Sequence, residues 1–324
     1  MNQPFSPPFE PHAIPSPPAP KSGLPWGKLA LAVVAGAILM VVLLAVVGMA
    51  SKSSPSSVAS FGKGCIGVIE INGEILPSDT PDSLLSTGQP GSTSLVDLIE
   101  EANSRSDVRA ILLQVDSPGG SPLASREIYT ALKDVKKPKV AYFRELAASG
   151  GYYVAMGTDY IVSEPDTLTG SIGVRMSLQD LSGLFAKIGY NETELKSGEL
   201  KDIGTYSRPM TEQERAILQS IINESFEEFK GVVVENRGAR LRHPQFEEIL
   251  DARVLTGRQA LAVGLVDEIG SKKDAIRHTA AMLNETDMDV CPIVSTRGGF
   301  ISRLFSGALS LPLPKSEGVW HLWY

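Results

Sequence analysis

Two glycine-rich stretches hold the residues whose types and spacing could do chemistry. In Ala147-Ala148-Ser149-Gly150-Gly151 a lone hydroxyl stands among small residues, and the Tyr152-Tyr153-Val154-Ala155 that follows reads as the start of a helix. A serine at a helix N-terminus faces the partial positive charge of that helix, which stabilises a developing alkoxide. An N-cap is the ordinary role of such a serine. The small neighbours favour chemistry here, because an acyl group must come close to the Oγ and bulky residues would block it. Asp116-Ser117-Pro118-Gly119-Gly120, earlier in the chain, closes an apolar run at 110–115. Its consecutive glycines can turn N–H groups toward an anion, as an oxyanion hole requires, although Gly-Gly after Pro is also a plain turn.

A nucleophilic serine needs a base. His12 and His321 lie near the two ends of the chain, and His243 and His278 sit in polar, helical surroundings. None has a local triad pattern around it, so a Ser-His-Asp arrangement has no support in the sequence. The other common base is a lysine, made neutral by desolvation that lowers its pKa from about 10.4. Lys187, Lys196 and Lys201 compete for that role on residue type alone.

The elements that must position these residues alternate. Apolar runs at 65–71, 108–115 and 140–143 are separated by helical patterns at 94–103 and 123–136, the pattern of βαβ units and a largely parallel sheet. A short helix at 149–156, a strand at 160–162, a helix near 178–188 and a strand near 192–196 follow. Both glycine motifs then lie at the carboxyl ends of strands, where α/β sheets bind ligands. Thr211 with Glu214 makes a capping box for a long helix whose stripe Ile217, Ile221, Ser225, Phe229 and Val233 reads as core. Residues 257–274 predict a further helix, a strand at 265–266 and another helix start, and beyond about residue 283 the pattern fades.

The 37 acidic residues outnumber 30 basic ones, for a net charge of −7, so no cationic footprint for nucleic acid is present. Cys65 and Cys291, in neither a CxxC nor a Cys/His cluster, provide no zinc or redox motif. They flank the folded part and could pair outside the cytoplasm if its ends meet; two buried free thiols are the alternative. Nine prolines within the first 27 residues make 1–28 a disordered tail. The uncharged run 29–51 can cross a hydrocarbon core of about 30 Å at roughly 1.5 Å per residue and predicts one transmembrane helix. It is longer than the apolar core of a signal peptide and starts too far from the N-terminus for one. Lys21 and Lys28 balance Lys52 and Lys63 across it, so charge does not orient the span. Residues 52–61 read as a linker, 62–285 as the folded domain and 286–324 as a mostly unstructured tail.

Asp116–Gly120 and Ala147–Gly151, followed in order by Thr169-Gly170-Ser171-Ile172-Gly173-Val174 and Lys196-Ser197-Gly198-Glu199-Leu200-Lys201-Asp202, resemble the signal peptide peptidase A family, peptidase family S49, of membrane-bound serine proteases. The resemblance covers residues 64–283, and four motifs in register are far more specific than any one. Departures from the family pattern are small, chiefly Ile203 and Tyr206 in the loop after Lys201-Asp202. The resemblance implies an α/β fold of the crotonase and Clp protease kind, built of repeated ββα and βαβ units. It makes Ser149 the nucleophile, Lys201 the general base, Gly120 and Gly150 the oxyanion-hole donors and Ser171 the group that orients the lysine amine. No cofactor and no metal is required.

The same resemblance implies a homo-oligomeric ring, an octamer, in which the serine of one protomer meets the lysine of the next. Its substrates would be remnant signal peptides and other hydrophobic segments, with the bilayer engaged through 29–51. The N-terminus would face the cytoplasm and the catalytic domain would lie on the other side of the cell membrane. Two rivals stand beside this reading. An acyl-CoA hydratase or thioesterase of the same fold would work through carboxylates and water, against which the Ala-Ala-Ser-Gly-Gly motif argues. A catalytically inactive membrane scaffold or adaptor would have no need to keep both Ser149 and Lys201.

Overall fold

A computed structural model of the chain describes residues 64–81 and 88–294, the pair 322–323, and Gly36, Leu39 and Met40. The chain divides into two units, residues 1–60 and 61–324. The expected membrane span at 29–51 lies outside the described residues except for Gly36, Leu39 and Met40, which are helical. Among the described residues no helix is long and apolar enough to cross a membrane.

The second unit is a mixed α/β fold around a mostly parallel sheet. Its strands are β1 (Cys65–Ile75), β2 (Val108–Gly120), β3 (Lys139–Ala148), β4 (Tyr160–Ser163), β5 (Leu168–Gly170), β6 (Arg175–Met176), β7 (Val254–Thr256), β8 (Glu268–Ile269), β9 (Asp289–Pro292) and β10 (Leu322–Trp323). The helices are α1 (Ser92–Ser104), α2 (Pro122–Asp134), α3 (Gly150–Ala155), α4 (Ser182–Ile188), α5 (Glu212–Arg237), α6 (Gln245–Glu248), α7 (Gly257–Val263) and α8 (Lys272–Met282). The main sheet runs in the order β7-β5-β3-β2-β1-β9, and every pair along it is parallel except β5 with β7. β3 divides its partners: Val140 to Phe143 pair with β4, and Leu146 to Ala148 pair with β5.

Alternation along the strands explains why both faces are covered. Ile69, Ile111, Leu113, Val115 and Phe143 point into one apolar cluster with Ile99 and Leu95 of α1, Ile128 of α2 and Phe229 of α5. Ile66, Val68, Leu112, Val140 and Tyr142, the intervening residues, pack on Ala275 and Ala280 of α8. A parallel sheet buried on both faces needs such continuous apolar runs. At the far end of α5, buried Arg237 donates to Asp267 from both terminal nitrogens (2.9 and 2.8 Å) and to the Gly264 carbonyl (3.0 Å). The helix end is thereby tied to the loop before β8.

Several expected elements come out differently. β2 runs on through Gly120, with a register shift between Val115 and Ser117, so Asp116 to Gly120 form a paired sheet segment in place of a turn beyond the strand. No strand forms at 192–196: that stretch is exposed, with Leu195 98% accessible, and has no apolar face to bury. The stripe on α5 is core only in its second half, where Phe229 and Val233 are buried, while Ile221 is exposed. The strand expected at 265–266 forms instead at Glu268–Ile269, against β4. The tail expected from 286 is structured where it is described: β9 pairs with β1, and Leu322–Trp323 pair antiparallel with β6.

β9 also settles the cysteines. It lies in register beside the start of β1, and Cys65 and Cys291 are joined in a disulfide with Cα atoms 5.9 Å apart. The bond links residues 226 apart in sequence, so it removes much chain entropy from the unfolded state. Replacing both cysteines by serine is expected to lower unfolding stability by about 2–4 kcal/mol. Urea unfolding of the variant beside the wild-type chain, with and without reductant, measures it, and a reductant effect confined to wild type is the expected result.

Candidate active site

Ser149 closes β3 and opens α3, with its backbone at φ 56° and ψ −124°. A residue bearing a Cβ in that region costs about 1–3 kcal/mol and persists only where its surroundings over-determine it. They do so here. The Ser149 N–H donates to the Gly170 carbonyl (2.9 Å), and its own carbonyl accepts from the Tyr153 N–H (2.9 Å). Tyr152 and Tyr153, both buried, pin the helix that follows. Tyr152 donates its hydroxyl to the Leu265 carbonyl at 2.8 Å, and Tyr153 packs edge-on against Tyr129 and Phe229. The Ser149 hydroxyl makes no capping hydrogen bond, so the ordinary N-cap role leaves it unused. A strand-to-helix elbow of this kind presents a hydroxyl at the end of a sheet.

The second glycine motif comes up against the first. A Cβ on Gly150 would lie 3.1 Å from the Gly120 nitrogen and 2.5 Å from the buried Ser125 hydroxyl, and a Cβ on Gly120 would lie 2.1 Å from the Ile75 carbonyl oxygen. Only bare backbone fits at both positions. Asp116 anchors this stretch to β3 by accepting from the Arg144 guanidinium (2.7 Å) and the Leu146 N–H (3.2 Å), and the Ser117 hydroxyl accepts from the Gly119 N–H (3.1 Å).

These groups open on a cleft of about 520 Å³, lined by Gly119, Gly120, Ser149, Ser171, Glu74 and Arg175 among others. Ser171 has φ 51°, follows Gly170 at φ 75°, and donates its N–H to the Arg253 carbonyl (3.0 Å). The structure therefore brings together four of the expected residues: Ser149, Gly120 and Ser171 in the cleft wall and Gly150 against Gly120. Neither His243, paired with Glu247, nor His278, stacked on Tyr160, lines the cleft. Glu74 was not anticipated, although it is one of two carboxylates in the strand Cys65–Ile75 and lies at its carboxyl end, in Ile71-Asn72-Gly73-Glu74-Ile75, where α/β sheets bind ligands.

Lys201 is the exception. It lies in a 3₁₀ turn at Glu199–Asp202, is exposed, and is not among the residues lining this cleft. Its turn is nonetheless held firmly. Asp202 accepts from Lys196 (2.6 Å) and from Arg208 (3.0 Å), and Arg208 reaches on to Glu214 (2.6 and 3.0 Å), whose carboxylate accepts the Thr211 N–H (2.8 Å) in the capping box of α5. The Lys196 ammonium, then Arg208, hold the Asp202 carboxyl below its ordinary value. Arg208, then the Thr211 backbone, hold that of Glu214 down to about 2.

The model of peptidase family S49 matches residues 131–286. The chain is 34% identical over 260 residues to the putative protease MJ0651 of Methanocaldococcus jannaschii, covering 78% of this chain and 83% of the relative. It is 34% identical over 238 residues to a putative signal peptide peptidase SppA of Enterococcus faecium, covering 72% and 68%. The chain belongs to peptidase family S49. As a member of that family it is a serine protease, and the hydratase reading is set aside. Among solved structures, a mutant of the 1510-N membrane-bound stomatin-specific protease aligns over 72% of this chain and 100% of its own, at 16% identity and a TM-score of 0.44.

Two outcomes test the geometry of this S49 site. Strain at residue 149 predicts that Ser149→Gly is more stable than Ser149→Ala by about 1 kcal/mol, the reverse of the usual order within regular elements; paired urea titrations measure it. Glu214 has a depressed folded-state pKa, so its contribution is complete above its ordinary value of 4.5 and is lost as pH falls toward about 2. The Tm difference between wild type and Glu214→Gln is expected to be constant above about pH 5.5 and to shrink steadily below pH 4.5.

Proposed function

We propose that the chain is a membrane-anchored endopeptidase with a Ser149-Lys201 dyad, on a fold of the Clp protease and crotonase kind, that degrades remnant signal peptides and other hydrophobic segments at the membrane. The observation that carries this reading is the Ser149 elbow. A hydroxyl free of capping bonds opens on a cleft beside Gly120 and Gly150, two backbones in contact where no side chain fits.

The chemistry follows from those positions. The unprotonated Lys201 amine takes the Ser149 proton as the Oγ attacks the scissile carbonyl carbon. The N–H groups of Gly120 and Gly150 hold the oxyanion that results. The lysine ammonium passes its proton to the leaving amine as the C–N bond breaks, and a water, deprotonated by the same amine, releases the acyl group as a free acid. Ser171, in the cleft wall, orients the amine through its hydroxyl.

Lys201 reaches a cleft by belonging to a neighbouring protomer. Its placement on an exposed, rigidly held turn supports this, as do Leu184, Ile188, Tyr190 and Leu195, large apolar side chains left open on the preceding segment. The assembly is a homo-oligomeric ring, an octamer. The Cys65–Cys291 disulfide supports an oxidising compartment for the domain, in keeping with a cytoplasmic N-terminus, a single span at 29–51 and a catalytic domain on the far side of the membrane. The relative named as a signal peptide peptidase supports the substrate class.

The test is labelling of the full chain in detergent with a fluorophosphonate, beside Ser149→Ala and Lys201→Ala. Wild type is expected to label and each variant to lose at least 100-fold in labelling rate. Mixed rings of the two variants are expected to recover part of the peptidase activity. Full labelling of Lys201→Ala overturns the dyad, and absence of recovery in mixed rings overturns its sharing between protomers.

A further inference from the structure

We infer that Glu74 is a specificity residue that receives a cationic group of the substrate, a lysine or arginine side chain beside the scissile bond. The inference rests on the proteolytic reading of the Ser149 cleft and adds to it a substrate preference.

Glu74 lies near the end of β1, paired in register with Gly119 of β2, one residue before the oxyanion-hole glycine Gly120. It lines the same cleft as Ser149. Its Oε1 is buried and has no hydrogen-bond partner, and no cation among the described residues lies within ion-pair distance of the carboxylate. Arg175, the arginine of the cleft lining, is exposed and does not pair with it.

A carboxylate oxygen withheld from water without a donor is costly, and native proteins leave few such groups without a reason. An ionised carboxylate only accepts hydrogen bonds, so what completes it must be a donor, and a positive charge offsets the desolvation that a neutral donor leaves uncompensated. The open side of the site is the cleft itself. A peptide whose carbonyl rests on Gly120 and Gly150 occupies the cleft that Glu74 also lines, so the donor is part of the substrate. Hydrophobic segments with a flanking basic residue meet both the apolar and the charged requirement.

The experiment uses the full chain in detergent with fluorogenic peptides that differ at one position, carrying lysine, norleucine or glutamate in turn across the residues on each side of the cleaved bond. At one position lysine is expected to be favoured over norleucine by roughly 10- to 100-fold in kcat/KM, the size of a charge-assisted hydrogen bond to a desolvated partner. In Glu74→Gln that ratio is expected to fall to about 1, and in Glu74→Lys to turn over in favour of glutamate. Because it is a ratio on one enzyme sample, it is independent of the fraction folded. Wild-type ratios within twofold at every position, or a lysine preference that survives Glu74→Gln, overturn the inference. So does an equal loss on all three peptides with a shifted pH profile, which would place Glu74 against the enzyme's own base. Fluorophosphonate labelling of the same sample separates the two readings: labelling with a flat ratio sinks only the role of Glu74, whereas neither labelling nor cleavage sinks the proteolytic reading and this one with it.

Discussion

The backbone at residue 149 must turn from strand to helix within one residue while two other backbones press against it. Everything around the cleft follows from that demand. The turn places a side-chain-bearing residue at φ 56°, a conformation that its own chemistry disfavours, and the cost is met by contacts on three sides. Gly170 on β5 receives the Ser149 N–H, the two tyrosines of α3 bury the helix that follows, and Gly150 meets Gly120 with no room for a Cβ on either. The strain and the close approach serve one end. They hold a hydroxyl and a pair of backbone amides at fixed separation, where loops of ordinary mobility would not.

The sheet supplies the rigidity for this. β3 reaches its carboxyl end paired first with β4 and then with β5, so its last residues are tied on both sides, to β2 and to β5, where the elbow begins. The register shift between Val115 and Ser117 lets β2 continue past its buried stretch and carry Gly119 and Gly120 alongside Ile75 of β1. Asp116 locks that bulge to β3 through Arg144 and the Leu146 N–H. A mostly parallel sheet covered on both faces thus ends in an edge of backbone N–H groups and small residues, the usual place for ligands in α/β folds.

The lysine of the proposed dyad sits on different support. Lys201 projects from a short turn whose fixed point is Asp202, linked through Arg208 to Glu214 at the start of α5. Both carboxylates of this chain are buried and its cations are partly exposed, while the segment before it leaves apolar side chains open to solvent. Lys201 thus stands on a firmly held turn and does not line the cleft of its own chain, which is the arrangement that the proposed sharing of the dyad between protomers requires.

The alternation of apolar runs determined the parallel sheet and its helices, because burial on both faces leaves no other pattern for those strands. The capping box of Thr211 and Glu214 determined where α5 begins, and the two glycine motifs marked where chemistry could occur, since only Gly and Ser types suit a tight backbone approach around a nucleophile. Resemblance to a family singled out Lys201 from other lysines that residue type could not separate. Contacts far apart in sequence decided the rest. The pairing of Cys65 with Cys291 depended on β9 reaching β1 across 226 residues, and no local pattern marks a four-residue edge strand. The failure of 192–196 to become a strand, and of Ile221 to be buried, depended on there being no partner surface among the described residues, which periodicity does not see. Glu74 was legible only as one of two carboxylates on β1, the one near its end. That its oxygen lies buried and unmet beside Ser149 depended on which strands came together, because burial and hydrogen-bond satisfaction are properties of neighbours in space.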